Sequence, residues 1–187
     1  MDPHEVEFLG EKKLVDIVPN FNFGQIHLIS GSIGPFRASL PVKVPIWLAI
    51  SLKQQQKCRI LCPDWMQLEN LDIIKENEKQ SKDFTAMPSK HYMDVTHILL
   101  NVASDDFVNV DSIRTIVKDI WDMRMSKLRT SIDDLFRDQN GIHALLKNLT
   151  LMEITSLRPF VPSSMDQLQR IKLSEDHVRS FQTQGSQ

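Results

Sequence analysis

The chain has 187 residues, of which 41% are hydrophobic and 25% charged, and its formal net charge is −2. This length and hydrophobic content are sufficient to bury a core in one domain or in two small ones. The slight acidic excess argues against a protein whose main task is to coat nucleic acid, because phosphate-binding surfaces normally carry a basic excess.

Neither a membrane span nor a signal peptide is predicted. No apolar run approaches the roughly 20 residues that a transmembrane helix needs. The acidic start MDPHEVEFLGE lacks the basic and apolar regions of a signal peptide. We therefore expect a soluble, intracellular protein.

The N-terminal third predicts short strands after one brief helix in HEVEFLGEK. The segments LVDIV, QIHLIS and LPVKV are rich in β-branched residues and are separated by Asn, Gly and Pro. This pattern is typical of strands joined by turns, and GSIG (31–34) is predicted to be such a turn. Pro45 suits the first turn of a helix through IWLAISLKQQQK.

The rest of the chain predicts helices. In CPDWMQ, Asp64 is expected to cap a new helix with Gln67 as its reciprocal partner, and LENLDIIKENEKQ follows. Ser89 is expected to cap KHYMDVTHILLNVA. A long helix is predicted from about Asp111 to Asp138, and a shorter one in HALLKNL. The polar residues after Leu173 are expected to be disordered.

These elements predict an α+β fold that is mainly α. A small β-rich B domain with a linking helix is expected at residues 1–62, and a larger helical-bundle A domain at residues 63–173. A disordered tail is expected at 174–187. The stretch KCRILCPDW lies at the seam between the two domains.

That seam holds the two cysteines of the chain, Cys58 and Cys62. A structural zinc site needs about four thiolate or imidazole ligands, and a thioredoxin-like redox pair has two intervening residues rather than three. No histidine lies near Cys58 with a paired spacing. We therefore predict two reduced, partly buried thiols that pack as small apolar side chains.

The sequence contains no G-x-S-x-G, no P-loop and no H-E-x-x-H motif. Asp94 and His97 lie three positions apart on a helix, but without a third partner they are predicted to be a solvated surface pair. The basic residues Lys53, Lys57 and Arg59 lack interleaved aromatics and are predicted to be a solvated helix end. We expect no catalytic residue, no cofactor and no metal.

The long helix carries apolar residues in two directions. At about 100° per residue, one direction holds Ile113, Ile116, Val117, Ile120 and Met123. The other, about 90° away, holds Trp121, Met125, Leu128, Ile132, Leu135 and Phe136. One alternative is a central helix surrounded inside its own bundle. We favour a helix that packs on its own domain along one side and on another subunit along the other.

The candidate subunit interface is Ile113, Ile116, Ile120, Trp121, Arg124 and Leu128. Arg124 falls inside the apolar arc, so its guanidinium must either reach water or meet a carboxylate. We hypothesise a largely desolvated arginine that is paired with a carboxylate of a neighbouring helix or subunit.

Several long runs of the sequence resemble one family. They are VEFLGEKKLVDIVPNF, GPF, LPVKVPIWLAISLKQQQKCRI, PDWM, SIRTIVKDIWDMRMSKLR and NLTLMEI. Together, over about residues 2–156, they resemble the Psf-type second subunits of the eukaryotic GINS family, whereas the C-terminal tail departs from that pattern. The resemblance implies a helical A domain and a small B domain, with the B domain first.

The resemblance also implies a function. It implies a non-catalytic subunit of a nuclear heterotetramer with three other GINS subunits. That complex joins the Mcm helicase ring and its RecJ-like accessory factor to form the active replicative helicase for initiation and fork progression. DNA contact would be indirect or weak, with no membrane partner. The alternatives from other classes are an autonomous nucleic-acid-binding module and a small enzyme that uses the region of Asp94 and His97.

Overall fold

The computed structural model describes residues 2–29, 31–137 and 147–159, and beyond them Pro162, Ser163, Asp166, Gln167 and Arg170. The predicted fold class is confirmed, because this part of the chain is α+β and mainly helical. None of its helices is both long enough and apolar enough to cross a bilayer.

The described part of the chain contains five strands and six helices. The strands are β1 (Leu14–Pro19), β2 (Ile26–Leu28), β3 (Gly31–Ile33), β4 (Val42–Pro45) and β5 (Cys58–Ile60). The helices are α1 (Pro3–Glu11), α2 (Ile46–Gln54), α3 (Leu68–Gln80), α4 (Tyr92–Val102), α5 (Val110–Arg137) and α6 (Leu151–Leu157).

Strand β1 is the centre of a three-stranded antiparallel sheet, with β4 on one side and β5 on the other. Successive side chains of a strand point to opposite faces, so Val15 and Ile17 are buried while Leu14 is exposed. Strands β2 and β3 form a separate hairpin. Helix α2 follows β4 at Pro45 and packs on the sheet.

The sheet and the helices share one hydrophobic core. Its buried members include Ile17 of β1, Ile60 of β5, Leu99 of α4 and Ile120 of α5. A smaller cluster of Phe84, Leu128 and Ile132 lies further along α5. The domain boundary expected between residues 62 and 63 stays a prediction.

Three local expectations are wrong, and one strand was not predicted. GSIG is not a turn, because Gly31–Ile33 pairs with β2 as strand β3. The seam contains a strand, β5, that no sequence pattern predicts. Asp64 begins a single 3-10 turn rather than a helix, and α3 begins only at Leu68 because Gln67 has extended backbone angles. Helix α4 begins at Tyr92, two residues later than a cap at Ser89 requires.

Two expectations concern residues that are wholly or largely outside the described part of the chain. The helix expected in HALLKNL covers residues 143–149, of which the structure describes only 147–149, in a turn that leads to α6. The tail at residues 174–187 lies wholly outside the described residues.

Candidate assembly interface

Arg124 of α5 has no exposed surface. Its guanidinium donates to both carboxylate oxygens of Glu153, from Nε to Oε1 at 2.6 Å and from Nη2 to Oε2 at 3.0 Å. It also donates from Nη1 to Glu78 Oε2 at 3.0 Å. The remaining bonds go to the backbone oxygens of Thr85 at 3.1 Å and Asn148 at 2.8 Å. All five N–H donors of the guanidinium are therefore used.

Glu78 of α3 is fully buried and is held by a second cation, Lys127 of α5. Lys127 Nζ donates to Glu78 Oε1 at 2.8 Å, and the backbone N–H of Thr85 donates to Oε2 at 3.1 Å. Two cations and two carboxylates thus balance in charge, as a buried cluster requires. We call Glu78, Arg124, Lys127 and Glu153 the arginine hub.

The pKa values of the hub agree with this pairing. Burial by itself raises the pKa of the Glu78 carboxyl, but the hydrogen bonds from Lys127 and Thr85 and the charge of Arg124 bring it below its usual value. Burial likewise disfavours the charged form of Arg124, but the hydrogen bonds and charge of Glu153 raise its pKa above its usual value. Both side chains are therefore ionised at neutral pH.

The turn before α6 brings Glu153 into place. Glu153 Oε2 accepts the backbone N–H of Thr150 at 2.7 Å, which satisfies one of the free donors at the start of the helix. Asn148 has a φ of 62°, a left-handed conformation that asparagine tolerates better than most residues. Its side chain donates to the backbone oxygen of Phe84 at 3.0 Å. The spacing T-x-x-E in TLME is the sequence signal that identifies Glu153 as a capping residue.

Five of the six candidate interface residues are buried by this chain itself. Arg124 is paired in the hub, and the others are Ile113, Ile116, Ile120 and Leu128. Trp121 is half-buried. Helices α3 and α4 both pack on α5. Its own chain therefore covers more of this helix than the single side that we expected. The assignment of these six residues to a subunit interface stays a prediction.

Asp106 links the sheet to the helices. It lies just before α5, and its Oδ2 accepts the backbone N–H of Ile60 in β5 at 2.9 Å. Lys53 at the end of α2 lies 2.8 Å from the same oxygen, and Arg59 is 3.9 Å from Oδ1. The expectation of a solvated helix end is therefore wrong for Lys53, whose side chain is only 18% exposed. We call Asp106, Lys53 and Ile60 the aspartate clamp.

Both cysteines are free thiols in the structure. Cys58 is buried in β5, and its Sγ lies 3.8 Å from the backbone oxygen of Ala49. Burial, with the negative charge of Asp106, raises the pKa of Cys58 to about 11, and burial also raises the pKa of Cys62. Among the described residues, no three His, Cys, Asp or Glu side chains converge closely enough to hold a metal ion.

We expect the double variant Cys58→Ala, Cys62→Ala to lose at most about 1–3 kcal/mol of stability, because each change removes only a small packed group. The parent protein should carry no stoichiometric zinc or iron by elemental analysis. Its thiols should react with iodoacetamide at neutral pH much more slowly in the native state than in denaturant, because little thiolate is present. One metal ion per chain that is lost in the double variant would overturn this prediction.

Asp94 and His97 do not form a surface pair. Asp94 is buried, and its Oδ2 lies 3.7 Å from Nδ1 of His91, which is also buried. His97 is exposed and contacts the side chain of Asn101. Burial lowers the pKa of His91 and raises the pKa of Asp94. No helical spacing identifies this pair in the sequence, because His91 precedes the first turn of α4.

The comparisons with known proteins cover both parts of the fold. Residues 2–61 match the PSF2 N-terminal domain, and residues 65–172 match the GINS complex protein helical bundle domain. The human protein named DNA replication complex GINS protein PSF2 is 49% identical over 184 residues, which is 98% of this chain and 99% of the human protein.

Relatives from other organisms are also similar over most of their length. The Drosophila melanogaster protein named probable DNA replication complex GINS protein PSF2 is 51% identical over 170 residues, covering 91% of this chain and 83% of the relative. The Schizosaccharomyces pombe protein named DNA replication complex GINS protein psf2 is 35% identical over 169 residues, covering 90% of each. The chain therefore belongs to the PSF2 family of GINS proteins.

Proposed function

We propose that this chain is a non-catalytic structural subunit of a heterotetrameric GINS complex in nuclear DNA replication. The observation that carries the proposal is the end-to-end similarity to the human relative, 49% identity over 98% of this chain. Three other GINS subunits are its direct partners. We also propose the division into a B domain at 1–62, an A domain at 63–173 and a tail at 174–187.

The mechanism that we propose is geometric. Through the complex, the subunit helps to hold the Mcm ring and its RecJ-like accessory factor in a closed, processive arrangement. The subunit favours the closed arrangement because it binds that arrangement more tightly than the open one. Any contact with DNA is indirect or weak.

Two features of the structure support a rigid scaffold. The arginine hub ties α3, α5 and α6 together, and the aspartate clamp ties β5 and α2 to the start of α5. A subunit that acts by geometry must keep its elements in fixed relative positions, and buried charge pairs hold a defined geometry because an unpaired partner is costly.

The proposal requires apolar side chains that the partner subunits cover, and several large ones are exposed in this chain. They include Phe8, Leu14, Phe23, Trp47, Ile73, Val108 and Ile154. We propose that Trp121 and the half-buried Met125 add to such a surface on α5. In this proposal the other five candidate residues do not contact the partner. They are buried and hold α5 against its own chain: Ile113, Ile116, Ile120, Arg124 and Leu128.

The two alternative functions find less support. A nucleic-acid-binding module would use the basic residues near the seam, but Lys53 is already paired with Asp106. A small enzyme built on Asp94 and His97 would need the two side chains together, whereas Asp94 lies beside His91.

We expect the chain produced alone to self-associate or aggregate, because its partner-facing apolar surface is uncovered. Coexpression with the three other GINS subunits should give a monodisperse complex with one copy of each, measured by light scattering and native mass spectrometry. A monodisperse monomer with no affinity for those subunits would refute the proposed function.

The isolated chain should also show no steep, salt-dependent binding to DNA.

A further inference from the structure

A groove of about 210 Å³ lies between α4 and α5. Its apolar lining comes from Met93 and Leu100 of α4 and from Val117 of α5. An apolar cavity of about 150 Å³ is large enough to accept a benzene ring. The groove therefore has room for one large apolar side chain.

The rim of the groove is cationic. Arg114 and Lys118 line it from α5, one helical turn apart, and none of the lining residues is acidic. Within the described residues, neither cation has a carboxylate oxygen within 4.0 Å, and Arg114 instead donates to the neutral oxygens Leu100 O at 3.3 Å and Asn101 Oδ1 at 3.4 Å. On another flank of α5, by contrast, Lys75 meets Asp119 at 2.6 Å.

A hydroxyl group in the groove wall also lacks a partner. Thr96 lines the groove, and its Oγ1 is buried without a hydrogen bond in the described part of the structure. A buried hydroxyl without a partner is costly, so most find one. Because Thr96 Oγ1 is itself buried, its side chain would have to rotate to reach an acceptor brought in by an occupant.

We infer that this groove receives an acidic amphipathic helix from another subunit of the complex. The helix inserts one large apolar side chain between α4 and α5 and places carboxylates one turn apart against Arg114 and Lys118. Helices commonly dock in apolar grooves through anchors spaced by one turn, and opposite charges at the rim fix register and partner choice. This inference rests on the proposed function and names the kind of partner surface at one site.

A protein helix explains the groove better than a nucleic acid does. Phosphates would be attracted by the two cations, but the apolar floor would be left facing water. Trp121 follows Val117 by one helical turn and is half-buried, so the apolar surface continues along α5 beyond the groove. A helix lying along α5 would cover both.

The first test uses a photoreactive amino acid at position 97, because His97 is exposed and lines the groove. The complex is assembled by coexpression with the three other GINS subunits and irradiated, and the crosslinked peptide is identified by mass spectrometry. We expect a crosslink to a helix of another subunit that carries Asp or Glu within one turn. A crosslink to a second copy of this chain, or to single-stranded DNA added to the complex, would overturn the inference.

The second test reverses one charge. Lys118→Glu should weaken incorporation into the complex by more than about tenfold in competition with the parent chain, because like charges across an interface are strongly unfavourable. Changing the crosslinked carboxylate to lysine should restore incorporation. The control is Lys79→Glu on α3, where the exposed lysine forms no hydrogen bond or ion pair among the described residues.

The outcomes separate this inference from the proposed function. If no complex forms with the parent chain, the proposed function fails. If the complex forms but position 97 gives no crosslink and Lys118→Glu incorporates like Lys79→Glu, only the inference about the groove fails.

Discussion

Arg124→Ala is expected to destabilise the folded chain by about 3–5 kcal/mol, which is the usual cost of removing one partner from a buried ion pair. The change leaves Glu153 without its bidentate partner and leaves Glu78 with Lys127 as its remaining cation. It also frees the backbone oxygens of Thr85 and Asn148. We expect the coexpressed complex to form poorly or only at low temperature.

Arg124→Lys tests whether charge alone is sufficient. A lysine has three donors on one nitrogen, so it cannot reproduce the fork that binds both oxygens of Glu153 while also reaching Glu78. We therefore expect Arg124→Lys to lower the melting temperature of the assembled complex, although less than Arg124→Ala does.

The measurements are coexpression pull-down and thermal melting of the assembled complex. The control is Arg129→Ala, because Arg129 is exposed on the same helix and forms no hydrogen bond or ion pair among the described residues. If both Arg124 variants assemble and melt like the parent, the hub does not contribute to stability.

Asp106→Ala is expected to cost about 2–4 kcal/mol, because it leaves the largely buried Lys53 and the N–H of Ile60 without their acceptor. Arg59 is mostly exposed, so its longer contact adds little. Asp106→Asn keeps an acceptor for the N–H of Ile60 but loses the negative charge beside Lys53. Its stability should therefore lie between that of Asp106→Ala and that of the parent.

Limited trypsin digestion of the coexpressed complex measures whether the clamp holds β5 in place. Without the clamp, cleavage after Lys57 and Arg59 should become faster, because Arg59 lies in β5 beside Ile60, whose N–H donates to Asp106, and Lys57 directly precedes the strand. Asp105→Ala is the matched control, since Asp105 is exposed and adjacent. Equal cleavage rates in the two alanine variants would contradict the clamp.

The fold class and the long helix α5 could be predicted from the sequence because their signals are local. The apolar spacing of α5 repeats over many turns, and its predicted extent of about 111–138 agrees closely with Val110–Arg137. Strand β5 could not be predicted in this way. It has only three residues, and its pairing depends on the free edge of β1 and on Asp106, which lies 46 residues away from Ile60.

The hub could be predicted only in part. A helical projection identifies Arg124 as an arginine among apolar residues, but it does not identify the partners. Glu78 lies in the polar run KENEKQ, which is typical of a solvated helix face. The fold buries it because the loop with Phe84 and Thr85 returns over the end of α3. Only the capping spacing before Glu153 offers a local signal.

The sequence separation within the hub also has a kinetic consequence. Arg124 is 46 residues from Glu78 and 29 from Glu153, so the hub closes only after three helices have met. We expect the hub to form after the transition state, and interactions of that kind slow unfolding and leave the folding rate nearly unchanged. We therefore expect Arg124→Ala to act mainly on the unfolding rate constant. The hub then determines how long a folded subunit persists, rather than how quickly it is made.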